Sequence, residues 1–241
     1  MIELHNIDCM EAMREMPDKA FDLAIVDPPY GIGMHKQGAA LFGETSTAVH
    51  SKTGDKRIVK RGRYTVKEWD KEPATEEYFL QLLRVSKHQI IWGANHFIDR
   101  VPFASPCWIV WDKVNNTTTQ SDAELAWTSF PTAVRIFQFM WSGMMQGRSM
   151  FNGTVQQGNK SLNETRIHPT QKPVELYKWL LTNYAKPGWK ILDTHFGSLS
   201  IGIACHELGY DLTAFEIDHE YFEGGKTRLE EHQRQGKLVY V

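Results

Sequence analysis

The chain has 241 residues, 41% of them apolar, which is enough for one sizeable core, and no apolar run approaches the length needed to span a membrane. The start, Met1-Ile2-Glu3-Leu4-His5, has no basic and apolar leader, so the cytoplasm is the expected address. The formal charge of -2 excludes a uniformly basic protein, yet seven cations (Lys52, Lys56, Arg57, Lys60, Arg61, Arg63 and Lys67) stand against Asp55 alone within residues 52–67. Cys9, Cys107 and Cys205 are odd in number and form no Cys-x-x-Cys pair, and the ten histidines show no ligand-like pairing; neither a disulfide framework nor a metal site is expected.

The first strong element is the apolar run Phe21–Val26, read as a strand, which ends in Asp27-Pro28-Pro29-Tyr30. Ordinary residue usage produces that tetrapeptide by chance in a chain of this length about once in a thousand. Two prolines can simply end a strand, because proline donates no backbone hydrogen bond. The same four residues also combine a fixed carboxylate, a stiff turn and an aromatic ring, which suits holding a planar amino-bearing base. Residues 31–70 follow, rich in Gly, Ser and Thr with little periodicity, and read as a long loop. Its basic stretch is either a solvated face or a phosphate contact that adds affinity without reading sequence.

Thr75-Glu76-Glu77 can cap and charge a helix whose apolar stripe is Tyr78, Phe79, Leu82 and Leu83. Residues 89–92 and 107–111 read as strands. Next comes His168-Pro169-Thr170-Gln171-Lys172-Pro173, with Pro173 placed in the first turn of a helix that buries Val174, Tyr177, Leu180, Leu181 and Tyr184 and stops at Pro187-Gly188. Thr170, Lys172 and the amides after Pro173 could hold a carboxylate. The strand 190–193 then runs into Asp193-Thr194-His195-Phe196-Gly197-Ser198-Leu199-Ser200 and a helix ending at Gly209. A small-residue turn of this kind lets a ligand approach the backbone. Nineteen residues after Gly197, Glu216 closes a further strand, 212–217, where a carboxylate can accept bonds from both hydroxyls of a ribose. The alternation of strands and helices predicts an α/β fold with a mostly parallel sheet.

In order and wording these motifs resemble the beta-class DNA amino-methyltransferases, the S-adenosylmethionine-dependent N6-adenine and N4-cytosine group known from restriction-modification, in a short phage- or mobile-element-like form. The resemblance rests on Asn6-Ile7-Asp8-Cys9, Asp27-Pro28-Pro29-Tyr30, Cys107-Trp108-Ile109-Val110-Trp111-Asp112-Lys113, the run from His168 to Pro173, Asp193 to Ser200, and Phe215-Glu216-Ile217-Asp218. It implies a Rossmann-like methyltransferase domain over 1–241, helices on both faces, a reversed edge hairpin, a basic insertion at 31–72 and a target-recognition region at 131–166. It assigns Asp27, Pro28, Pro29 and Tyr30 to catalysis. Asp8, Cys9, His168, Thr170, Lys172, Asp193, His195, Gly197, Ser198, Ser200 and Glu216 fall to S-adenosylmethionine. The seven cations of 52–67 fall to double-stranded DNA, with the target base flipped out. A homodimer is left open.

Asp27 and Tyr30 favour adenine over cytosine by the family's usual preferences. RNA or a glutamine amide are other acceptors, and a nucleic-acid-binding or regulatory subunit of weak activity is a reading from another class. The cofactor loop departs from the family pattern Asp-Pro-Phe-x-Gly-Ser-Gly-Thr at His195, Leu199 and Ser200. Leu199 is strained by roughly 1–3 kcal/mol if its position needs a positive φ. It is harmless if it already lies in the first helical turn, the version that the intact Gly197, Ser198 and Gly202 favour.

Overall fold

The structure is a computed structural model that describes residues 1–33, 45–49, 56–60, 67, 70–115, 121–142, 145–150 and 153–238. The chain divides into two compact units, Pro29–Ala74 and the remainder, Met1–Pro28 with Thr75–Val241.

The larger unit is built on an eight-stranded mixed sheet. Its strands are β1 (Ile2–His5), β2 (Phe21–Val26), β5 (Ser86–Trp92), β6 (Trp108–Asp112), β7 (Ala123–Thr128), β8 (Arg135–Gln138), β12 (Lys190–Asp193) and β13 (Asp211–Phe215), while β3 (Thr45–Val49) and β4 (Lys56–Lys60) belong to the smaller unit. The order across the sheet is β1-β13-β12-β2-β5-β7-β6-β8. β2 sits near the centre and is buried almost throughout, which is why it reads as a continuous apolar run rather than an alternating one. Only β7 runs against its neighbours, pairing antiparallel with both β5 and β6; β6 and β7 are the reversed hairpin that the resemblance implied. A three-stranded antiparallel sheet of β9 (Trp141–Ser142), β10 (Met145–Met150) and β11 (Gly153–Gln156) occupies much of residues 131–166.

Five α-helices are described: α1 (Cys9–Glu15), α2 (Glu76–Val85), α3 (Val174–Tyr184), α4 (Ser200–Leu208) and α5 (His219–Leu238). α1 packs on α2, and α4 packs on both α3 and α5, so the two groups cover opposite faces of the sheet. α2 begins as its sequence predicts: the Thr75 hydroxyl accepts the Tyr78 amide at 3.3 Å, and Tyr78, Phe79, Leu82 and Val85 are buried. Pro173 is the residue before α3 rather than part of its first turn. No described helix is long and apolar enough to cross a membrane.

The smaller unit corrects the expectation of an unstructured loop. β3 and β4 pair antiparallel, Thr45 opposite Lys60 and Val49 opposite Lys56, so part of the basic stretch is a hairpin strand. The sequence hid this because its β-branched residues are diluted by Gly, Ser and cations. The ends of the unit are tied together. Asp70, buried, accepts the amides of Tyr30 and Gly31 through Oδ1, both at 2.8 Å, and the Ala74 amide donates to the Pro29 carbonyl at 3.2 Å. Gly31 has φ +71°, and a Cβ there would lie 2.4 Å from Cδ of Pro73, so only glycine fits.

Candidate active site

The parallel strands place their C-terminal ends on one edge of the larger unit, and Asp27, Asp193 and Glu216 stand at those ends. From β12 the chain crosses by α4 to β13; β2 leads to β5 on its other side. The strand order therefore diverges between β12 and β2, the place where open α/β sheets bind ligands. Asp27 follows β2 directly and Asp193 ends β12, so the Asp27 carboxylate and the glycine turn flank this point.

The turn after β12 is held from several sides. The Glu216 carboxylate, 9% exposed, accepts the Gly197 amide at 3.0 Å and the Asp218 amide at 2.9 Å. Asn6 donates to the Glu216 carbonyl at 2.7 Å, which ties the end of β1 to the end of β13. Asp8 caps α1 by accepting the Met10 amide, and the buried Cys9 beside it places Sγ 3.9 Å from Nε2 of His195. Burial, with Asp8 adjoining, pushes the Cys9 thiol up to about 12, so it stays protonated.

His195 stands where the family pattern has Phe, and Thr194, in place of its Pro, is a further departure beyond the three noted from the sequence. The Thr194 hydroxyl meets the Tyr78 hydroxyl at 2.6 Å and Nδ1 of His195 at 2.9 Å, while the Tyr78 ring lies edge-on to the imidazole at 5.4 Å. Burial lowers His195 to about 4, so the ring is neutral near pH 7 and takes the place of an aromatic hydrocarbon without adding charge. Asp193 is 2% exposed. Burial raises its carboxyl to about 8 against the opposing bond from the His195 amide, and the charges of Asp27 and Glu216 push it the same way.

Leu199 overturns the favoured version of the sequence reading. Its φ is +56° and ψ +34°, left-handed, and it is the residue before α4 rather than part of its first turn. The position is one that a glycine would occupy without strain. The side chain is nonetheless completely buried in the core, with α4 and α5 making room: a Cβ at Gly202 would lie 2.7 Å from Leu199 Cγ, and one at Gly225 would lie 3.1 Å from Leu199 Cβ.

The run from His168 to Pro173 is joined to this turn. The ring of His168 faces Gly197, where a Cβ would lie 3.5 Å from it, and its Nδ1 meets the Thr170 amide at 3.3 Å and hydroxyl at 3.1 Å. Ser200 donates to the Lys172 carbonyl at 2.7 Å, and Ser198 and Ser200 hydroxyls lie 3.2 Å apart. Arg228 of α5 donates to the Ser198 carbonyl at 2.8 Å and to Oε2 of Glu164 at 2.7 Å. The amide after Pro173 differs from expectation: Val174 donates to Oε1 of Glu164 at 2.9 Å, so a carboxylate from the chain itself already occupies the start of α3.

The Lys172 ammonium, with its side chain 2% exposed, forms an ion pair with Oδ2 of Asp27 and reaches Oε2 of Glu124 at 3.2 Å. Glu124 in turn pairs with Lys113 at 2.6 Å. Burial alone would raise the Glu124 carboxyl, but Lys172 and Lys113 outweigh it and hold it at about 2; burial would likewise lower Lys172, but Asp27 and Glu124 raise it. Sequence reasoning missed Glu124, Glu164, Arg228 and Tyr78. An acid inside the apolar stretch Ala123-Glu124-Leu125-Ala126 was a legible signal for the first; Arg228 lies on a charged helix where nothing marks it out.

Asp27 and Pro28 close the Met1–Pro28 segment of the larger unit, and Pro29 and Tyr30 open the smaller one. Of the seven proposed DNA contacts, Lys56, Arg57 and Lys60 lie on β4 and Lys67 is half-buried; Lys52, Arg61 and Arg63 lie outside the described residues.

A mostly parallel sheet with helices on both faces and a glycine turn at the C-terminal end of a central strand is a Rossmann-like fold. The family model described as DNA methylase, N6 and N4, matches residues 110–227. The chain is 23% identical over 257 residues to the type II methyltransferase M.HinfI of Haemophilus influenzae, covering 93% of this chain and 67% of that protein. Among solved structures it is similar to M1.HpyAVI in its SAM complex, at 18% identity and TM-score 0.55 over 95% of this chain and all of that one. It is also similar to the cytosine-N4-specific PvuII DNA methyltransferase, at 14% identity and TM-score 0.54 over 97% and 90%. The family-model match, together with the likeness to M.HinfI, supports an amino-methyltransferase family.

Proposed function

We propose that the protein transfers a methyl group from S-adenosylmethionine to the exocyclic N6 of adenine in DNA, with the target base flipped out of the duplex. The observation that carries this reading is the placing of Asp27 and the Asp193–Ser200 turn on either side of one sheet crevice, each at the end of its strand. The residues present suit the cofactor: Glu216 is a buried acid beside Gly197, whose positive φ opens the backbone to a ligand. Glu216 would hold the ribose hydroxyls, and Asp8, Cys9, Asp193, His195, Ser198 and Ser200 would line the rest, with His168 and Thr170 at the methionine end.

When bound, S-adenosylmethionine supplies an activated methyl group whose bond to sulfur breaks with the electron pair staying on sulfur. The difficulty lies with the acceptor. An adenine amine is a poor nucleophile because its lone pair is delocalised into the ring. The Asp27 carboxylate and the Pro28 carbonyl each accept one N6 hydrogen, which favours a tetrahedral nitrogen with its lone pair directed at the methyl carbon. As positive charge develops on nitrogen, one proton leaves by way of Asp27 to water, so no strong base is needed. Pro29 restricts the turn and Tyr30 offers a face on which the base stacks, offsetting part of the unstacking cost of a few kcal/mol.

Methylation of cytosine N4 is a second reading, favoured by the likeness to the PvuII enzyme. Expression in a methylation-deficient host, followed by sequencing with modified-base detection, distinguishes the two and gives the site. With tritiated cofactor, Asp27→Ala is expected to abolish transfer to DNA while leaving calorimetric binding of S-adenosylmethionine within a few-fold; a fully active variant would sink the mechanism.

A further inference from the structure

We propose that Glu124 is a positioning residue for methyl transfer, acting through Lys172 to fix the place of Asp27 and the charge around it. The proposal rests on the reading of Asp27 as the group that receives the amine hydrogen.

Four side chains alternate in sign in one line: Lys113, Glu124, Lys172 and Asp27, with spacings of 2.6 Å and 3.2 Å for the first two pairs and direct contact in the third. They come from four different places: the end of β6, the reversed strand β7, the run before α3 and the end of β2. Both ammonium groups lie over indole rings, Lys172 5.5 Å from the Trp92 centroid and Lys113 5.2 Å from that of Trp111. A ring face attracts a cation but accepts no strong hydrogen bond, so the carboxylates decide where each ammonium settles. Lys172 has its side chain 2% exposed and pairs with both Asp27 and Glu124.

An ion-pair line of zero net charge is a poor device for stability, because desolvation consumes most of the Coulomb gain. Its consequence for Asp27 is more specific. With Glu124 in place, Lys172 is held from both sides and its charge is shared. Without that negative charge, the whole ammonium would act on Asp27, competing with the amine for the carboxylate and opposing the arrival of a proton. Glu124 stays ionised at any working pH, since Lys172 and Lys113 overcome its burial and hold it at about 2; its contribution is a constant charge rather than a switch.

The test is single-turnover methyl transfer at saturating cofactor and DNA for the wild type, Glu124→Gln, Glu124→Asp and Lys113→Met, with calorimetric cofactor affinity and thermal melting on the same preparations. For Glu124→Gln the saturated rate is expected to fall about 10- to 100-fold, the scale of a small misplacement of a reacting group. Its cofactor dissociation constant should stay within about threefold of wild type, the loss thus falling on the rate. Glu124→Asp should recover part of the rate, and Lys113→Met should lose a few-fold. A folded Glu124→Gln protein with an unchanged rate, or one whose loss lies wholly in cofactor affinity, overturns the proposal. If Glu124→Gln does not fold, wild-type rates in both Glu124→Asp and Lys113→Met overturn it. A wild-type protein that binds no cofactor and methylates no DNA overturns the functional reading itself, and this inference with it.

Discussion

The side chain of Leu199 fills the space that a Cβ on Gly202 would occupy, its Cγ lying 2.7 Å from that point. The two positions are therefore matched: the family pattern's glycine is lost at 199, and the neighbour one turn on must remain small. Gly202→Ala is expected to destabilise by about 1–3 kcal/mol through overpacking. Leu199→Ala should lose about 2–5 kcal/mol of buried packing. In the double variant the alanine at 202 should add little further loss, so the two changes couple. Urea denaturation of the three variants measures this, and strictly additive losses would refute it. Leu199→Gly sets strain relief of roughly 1–3 kcal/mol against a cavity at least as large as that of Leu199→Ala, and a net loss is expected.

Asp193 gives a pH dependence with a definite sign. Its carboxyl is raised by burial from 3.8 to about 8, so between these values the folded chain binds the extra proton. Stability from this group is complete below about pH 4 and is lost as pH rises through about 8. Asp193→Asn cannot ionise, and its melting temperature should decline less than that of wild type between pH 5 and pH 8, with the largest gain at the alkaline end. Thermal melts across that range check it; parallel curves for the two proteins would exclude the effect.

The basic strand predicts a salt dependence. Each cation that meets a phosphate contributes about 0.9 to the slope of log K against log salt. Reversing Arg57, Lys60 and Arg61 to Glu should weaken DNA binding and flatten that slope, without altering calorimetric cofactor affinity. Fluorescence anisotropy at several salt concentrations reads both quantities, and an unchanged slope would return this stretch to a solvated surface.

Elements whose apolar pattern follows from burial on both faces were legible: Phe21–Val26 and Lys190–Asp193 occur with the predicted bounds, and Thr75 caps its helix as expected. Elements that are partly exposed were not. β1 alternates over only four residues, and β7 has an acid near its start. Within the site, the residue types near Asp27, Gly197 and Glu216 could be read, because each has its chemistry in its own side chain or its lack of one. The partners of Lys172 could not, since Asp27 and Glu124 approach it from 145 and 48 positions away in the chain. The conformation of Leu199 was equally hidden. Backbone sign at a helix start depends on what the side chain packs against, and here the space is supplied by Gly202 and Gly225 on two helices.

The neck of the smaller unit has a consequence for how such a protein can diversify. Tyr30 and Gly31 are fastened to Asp70, and Pro29 to Ala74, so the ends of this segment are closed on themselves wherever the chain between them travels. Most of the entropy of forming a loop lies in bringing its ends together, and lengthening it afterwards adds only about 0.6 kcal/mol per doubling. The segment between Gly31 and Asp70 is thus free to be trimmed, lengthened or exchanged for another sequence at small thermodynamic expense, while the residues on either side of the neck keep their footing. The segment that follows the Asp-Pro-Pro-Tyr motif is a place where the length and sequence of the chain can change at little cost to folding.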